Sequence, residues 1–188
     1  MTLRFSSPDA PAGGVVTAPA AAVATMASPQ DRFRDLMACW PTGVAVVTGA
    51  AGDHPVGCTV TAVASVSANP PLLLVSLAAA SRTLRAIEQA GRFGICVLPV
   101  RRRDLAQAFA TGDPATRFAG VGFDWVLGTP LLRGAVTGAV CAVRGRLAVA
   151  DHVLVTGGPL WQAEELSADP VIWFRRDLWR LRPPDAPR

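Results

Sequence analysis

The stretch from Val56 to Ser67, VGCTVTAVASVS, sorts its apolar and hydroxylated side chains by parity. On an extended strand, successive residues face opposite sides of the sheet. The even positions Cys58, Val60, Ala62, Ala64 and Val66 therefore share one apolar face, which is expected to meet the core. The odd positions Thr59, Thr61, Val63, Ser65 and Ser67 are small and mostly hydroxylated. Such a face either meets water along a sheet edge or receives something polar and flat. Residues of this kind, β-branched and alternating, favour strands over helices.

The rest of the chain reads as further strands with a few helices. Ser28-Pro29-Gln30-Asp31 has the form of a helix start, with a capping hydroxyl, a proline in the first turn and an acid facing the positive helix end. Phe33, Leu36, Met37 and Trp40 follow at helical spacing until Pro41 stops the helix. Strands are expected at Gly43 to Thr48, through the Val56 to Ser67 run, at Leu72 to Leu77, at Phe93 to Leu98, at Ala135 to Val149, at His152 to Thr156, at Val171 to Phe174 and at Leu178 to Leu181. Helices are expected from Ser81, ending at Gly91, and through RRRDLAQAFA, with an irregular loop from Thr111 to Pro130. Many strands without regular βαβ alternation predict a mainly β (α+β) fold, a barrel with flanking helices.

Residues 1–27, rich in Ala, Pro, Gly and Thr, read as a disordered tail. Their apolar segment VVTAPAAAVATMA is interrupted by Pro19 and preceded by a single basic residue, Arg4, which is poor for a secretion signal. One domain is expected over 28–182, with a short tail at 183–188. No apolar run is long enough to span a bilayer, so no membrane association is expected. Cys39, Cys58, Cys96 and Cys141 are widely spaced in apolar surroundings, as free thiols of a cytoplasmic protein are.

The formal charge of +4 comes from arginine alone, because the sequence has no lysine. The arginines fall in small groups without interleaved aromatics, so no nucleic-acid partner is expected. The missing lysine excludes a P-loop NTPase and Schiff-base chemistry. No G-x-S-x-G elbow occurs, and GVGF at Gly120 to Phe123 lacks the third glycine and the leading strand of a Rossmann fingerprint. His54 and His152 stand in no metal-ligand spacing, so no metal is expected. Redox or group-transfer chemistry would then belong to a bound cofactor.

The order of pieces is itself informative: PTGVAVVT, GCTVTAVASVSANPPLLLVSL, SRT, GRFGICVL, RFAGV and ADHVLV follow one another from about Phe33 to Leu181. This series resembles the flavin reductase-like family, whose members adopt the FMN-binding split β-barrel. The resemblance implies that FMN or FAD is bound and that NADH or NADPH supplies hydride to it. It implies that Gly57, Cys58, Thr59, Val60, Thr61, Ala62 and Ser65 hold the ring and ribityl chain, with Ala62 where serine is commoner. Ser81, Arg82 and Thr83 match the phosphate-binding segment, where a helix N-terminus offers free N–H groups and positive potential. Thr42 and Gly43 match a turn near the flavin, and Phe118, in RFAGV, is a further candidate contact. His152 matches the histidine beside the nicotinamide and the reactive edge of the flavin. The family often continues with Gly-Arg, where this chain has Gly157-Gly158-Pro159. Family members are homodimers that commonly supply reduced flavin to a separate monooxygenase. Direct oxidation of an organic substrate, and flavin or haem binding without turnover, remain alternatives on the same fold.

Overall fold

The computed structural model describes residues 28–163 and 169–181. Both tails of the sequence reading, 1–27 and 183–188, lie outside them. The chain divides into two compact units, Met1–Met37 and Ala38–Arg188. Helix α1 (Pro29–Ala38), all but its last residue in the first, begins as expected: the Ser28 hydroxyl accepts from the Asp31 amide at 3.1 Å and donates to its carboxylate at 2.7 Å. None of the α1 residues is buried.

In the second unit, strands β1 (Thr42–Gly43), β2 (Ala45–Ala51), β3 (His54–Val60), β4 (Val63–Ala68) and β5 (Pro71–Ala78) come before helix α2 (Arg82–Ala90). Strand β6 (Arg92–Val97), a single 3-10 turn and helix α3 (Arg103–Thr111) follow. The hairpin β7 (Phe123–Val126) and β8 (Thr129–Leu132) leads to the long strands β9 (Thr137–Val149) and β10 (His152–Gln162), and β11 (Val171–Phe174) and β12 (Asp177–Arg180) close the chain. The fold is mainly β, as expected.

Seven strands form one antiparallel sheet in the order β3-β2-β6-β9-β10-β5-β4. Its two edge strands, β3 and β4, are consecutive in sequence and joined only by Thr61 and Ala62. Laid flat, the edges would stand about 29 Å apart, six spacings of roughly 4.8 Å. The link from Val60 to Val63 reaches at most about 11 Å. The sheet must therefore curl until its edges converge at Thr61 and Ala62. A smaller sheet, β1-β11-β12, and the β7–β8 pair complete the strands.

The long run from Val56 to Ser67 is thus two strands, not one. Its alternation holds through β3, where Val56 and Val60 are buried, and fails beyond the break, where Val63 and Val66 are 41% and 52% exposed. Ala62 and Ala64, expected in the core, are exposed. As an edge strand, β4 has one neighbour and no packed layer demanding an apolar face. The odd face of β3 meets neither water nor a ligand alone: α3 covers it. Thr59 Oγ1 donates to the Ala106 carbonyl at 2.7 Å, and a Cβ on Gly57 would lie 3.1 Å from the Phe109 ring.

Two other expectations are corrected. The strand expected at Gly43 to Thr48 splits, with β1 pairing to β11 in the small sheet while β2 runs from Ala45 to Ala51. The loop expected from Thr111 to Pro130 contains the strand β7 and the start of β8, whose turn places Leu127 and Gly128 at φ 49° and 71°. A leucine in the left-handed region is no turn signal, so this hairpin was hidden. Likewise Arg175 and Arg176, at φ 52° and 62°, make the β11–β12 turn without glycine or asparagine.

The core lies on both faces of the curled sheet. Phe109, Leu105, Leu98 and Val46 form one cluster beneath α3; Phe93, Ile87, Leu77 and Val75 form another against α2. Helix α2 starts at its Ser81 cap and stops at Gly91, whose φ of 66° suits the left-handed C-terminal cap and whose amide donates to the Ile87 carbonyl at 2.8 Å.

Candidate cofactor cleft

The first turn of α2, the outer part of β3 with its Thr61-Ala62 link, the end of β5 and the first residue of β10 surround a cleft of about 480 Å³, a volume in the range of cofactor sites. The predicted residues Gly57 to Ala62, Ser81 to Thr83 and His152 all line it, although they come from three separate pieces of chain. Ser76, Ala78, Ala80, Ala110, Pro114 and Arg117 were not foreseen and also line it.

Ser81 is in extended conformation, and its hydroxyl accepts from the amides of Thr83 and Leu84 at 3.2 and 3.4 Å. The hydroxyl is thus committed to capping α2, and because the Arg85 amide donates to the Ser81 carbonyl, the Arg82 amide is the first-turn donor left for a ligand. Arg82 is exposed at this positive helix end. Two guanidiniums and one imidazole line the cleft, and no carboxylate does. Its potential therefore favours an anionic ligand.

Cys58 sits half-buried on the α2 side of β3, near the hydroxyls of Thr83 and Ser81. Burial pushes its thiol up from the usual range, against opposing hydrogen bonds from Thr83 and Ser81 and the charge of Arg117. Burial likewise pushes Cys96 up to about 12 and Cys141 to about 11. A raised thiol pKa leaves less thiolate at neutral pH, and the thiolate is the nucleophile. Brief iodoacetamide treatment of the folded protein at neutral pH is therefore expected to label exposed Cys39 well ahead of the other three. Peptide mass spectrometry checks this, and equal labelling of Cys96 would contradict it.

His152 opens β10 opposite Ala78 of β5, after the turn residue Ala150 at φ 52°. Its Nδ1 lies 2.8 Å from Asp151 Oδ1, and its side chain is 46% exposed. That contact holds the Asp151 carboxyl below the usual carboxylate range and orients the ring, leaving Nε2 as the other nitrogen.

Four candidates stand elsewhere. Thr42 and Gly43 line a neighbouring cavity of about 370 Å³ that shares Thr61 with the cleft. The Thr42 hydroxyl is buried there without a hydrogen-bond partner. Ser65 is exposed on β4, and it does not line the cleft. Phe118 lies behind the cleft wall, edge-on to Phe109 and Phe123 at 5.0 and 5.4 Å between ring centroids. Arg117 lacked any local signal, because the contact that brings it to β3 spans 60 positions of sequence.

The sequence profile described as "Flavin reductase like domain" matches residues 37–182. The chain belongs to the flavin reductase-like family. Among its relatives in that family is the NADH-dependent FMN reductase AsuE2 of Streptomyces nodosus subsp. asukaensis, 38% identical over 157 residues that cover 81% of this chain and 85% of the relative. Another is HsaB of Mycobacterium tuberculosis, the reductase subunit of a flavin-dependent monooxygenase, 31% identical over 80% of this chain and 82% of the relative. The NADH:FAD oxidoreductase SgcE6 of Streptomyces globisporus, solved in complex with NAD and FAD fragments, superposes with a TM-score of 0.78 at 26% identity, over 87% of this chain and all of that one. The curled sheet is thus the fold of a flavin reductase-like protein.

Proposed function

We propose that the protein is an NAD(P)H-dependent flavin reductase that binds FMN or FAD in the cleft between β3 and α2. The observation that carries this reading is the convergence of a helix N-terminus with Arg82, a wall of small and hydroxylated residues and His152 on one carboxylate-free cleft. The donor set fits such a group. The Arg82 guanidinium and the Arg82 amide at the start of α2 suit a phosphate. The backbone and side chains of Cys58 to Ala62 suit a planar ring with polar edges, and the Thr61 hydroxyl suits its oxygens. When bound, the flavin supplies the hydride-accepting chemistry: NAD(P)H, a proton and oxidised flavin become NAD(P)⁺ and reduced flavin.

The protein's own contribution is alignment and exclusion of water. Asp151 holds the His152 ring, and His152, at the rim of the cleft, orients the nicotinamide against its acceptor. The relatives named as reductase subunits of monooxygenases support a separate oxygenase as the consumer of reduced flavin. Closure of the curled sheet into a split barrel around the β3–β4 gap belongs to the same reading. So does a homodimer, for which the exposed Val63 and Val66 of β4 and Leu160 and Trp161 of β10 offer apolar surface. Its test is sedimentation equilibrium. Among the described residues no helix is long and apolar enough to cross a membrane, and the free cysteines fit a reducing compartment such as the cytoplasm.

The test is to mix purified protein with NADH or NADPH and each of FMN and FAD, and to follow the loss of reduced-nicotinamide absorbance. Oxidation that depends on both protein and flavin is the expected result. A rate no higher than the protein-free control with either flavin would refute the proposal.

A further inference from the structure

Arg117 follows α3 in the segment that leads to β7, and its side chain reaches back to three main-chain carbonyls. Nη1 donates to Gly57 at 3.0 Å, Nε to Gly112 at 3.0 Å and Nη2 to Ala110 at 3.4 Å. Ala110 and Gly112 mark the C-terminal end of α3, where helical carbonyls run out of partners and negative partial charge attracts a cation. Gly57 lies on β3, an edge strand of the large sheet and a wall of the cleft. One guanidinium therefore fastens the end of a helix and the loop after it to the edge strand.

The next residue strengthens the tie from behind. Phe118 packs edge-on against Phe109, and the Phe109 ring occupies the space that a Cβ on Gly57 would need. Arg117 and Phe118 thus brace the same β3 residue, one at the cleft and one from the core. Three of the five guanidinium donors are committed to this bracing. Arg82, across the cleft, caps no comparable set of carbonyls and stands exposed at the start of α2.

We infer that Arg117 is a positioning residue: it holds the Gly57–Ala62 wall in place for the flavin ring, while Arg82 meets the phosphate. This rests on the cleft being the flavin site. A phosphate contact and a braced wall differ in which ligands they affect. Loss of a phosphate contact weakens FMN and spares riboflavin, which has no phosphate. Loss of the brace weakens both alike.

The experiment titrates FMN and riboflavin, by quenching of flavin fluorescence, into the wild-type protein and its Arg117→Ala and Arg117→Lys variants. Arg117→Ala is expected to weaken both ligands by the same factor, about tenfold. Arg117→Lys keeps the charge but not the fork that spans three carbonyls, and is expected to behave like the alanine variant. If Arg117→Ala proves too unstable to titrate, hydrogen exchange on Arg117→Lys carries the test. Amides of Gly57 to Thr61 should exchange faster than in wild type, while those of β6 stay unchanged. Weakened FMN with unchanged riboflavin and rescue by lysine would overturn the inference in favour of a phosphate contact. No change in either ligand, or no change in β3 exchange, would overturn it outright. Failure of the wild-type protein to bind either flavin would instead refute the proposed function, and the inference with it.

Discussion

Arg82→Ala is expected to weaken FMN binding by about one to two orders of magnitude and to leave riboflavin within about twofold of wild type. A hydrogen bond between a guanidinium and a phosphate is worth roughly 1.5–3 kcal/mol, which sets that range. Arg82 is exposed, so ionic strength screens its contribution and the defect should shrink as salt rises. Arg85, one turn further along α2 and also exposed, does not line the cleft. Arg85→Ala is therefore the matched control and is expected to change neither ligand. Calorimetric or fluorescence titrations at low and high salt check the prediction. Equal losses in the Arg82 and Arg85 variants would reduce the effect to general surface charge.

The second large effect falls on rate. His152→Ala is expected to slow flavin reduction by about one to two orders of magnitude, in line with the cost of an ångström-scale misplacement of reacting groups. Flavin affinity should stay within about twofold of wild type, because the phosphate end of the cleft is untouched. The Nδ1 contact to Asp151 gives this prediction a second arm. The Asp151 carboxyl is held below its ordinary range by His152, so the carboxylate form, and its hold on the ring, persists throughout the neutral range. It is lost only as pH falls through that lowered pKa. Asp151→Asn removes the charge at every pH and is expected to give a smaller rate defect than His152→Ala with the same flavin affinity. Stopped-flow reduction, measured beside equilibrium flavin titrations, separates rate from binding. A loss of affinity equal to the loss of rate would assign His152 a binding role instead.

Much of the cleft was legible because its parts are local. A serine followed by arginine and threonine before an amphipathic stretch marks a helix start in any context, and Ser81 indeed caps α2. The strand character of Val56 to Val60 likewise follows from alternation over a few residues. The break at Thr61 and Ala62 was not legible. Alternation continues through it, and only the demand that one sheet bring both of its edges together at this point reveals the bend. The same limit explains Arg117, whose partners are set by where α3 docks on β3. It also explains Phe118, whose ring is drawn into the Phe109–Phe123 stack rather than toward the cleft. The hidden β7–β8 hairpin follows from Leu127, held at positive φ by its flanking strand pair although leucine is not a typical residue for such a turn.

The central claim, that hydride passes from a reduced nicotinamide to a flavin held in the cleft between β3 and α2, is tested most directly by a single anaerobic turnover. Protein loaded with FMN is mixed with excess NADH, and separately with NADPH, and the bleaching of the oxidised flavin is followed in wild type and in His152→Ala. Wild-type bleaching far faster than that of free FMN with at least one donor, and slowed by the substitution, is the expected result. Bleaching at the rate of free flavin with both donors would contradict the claim.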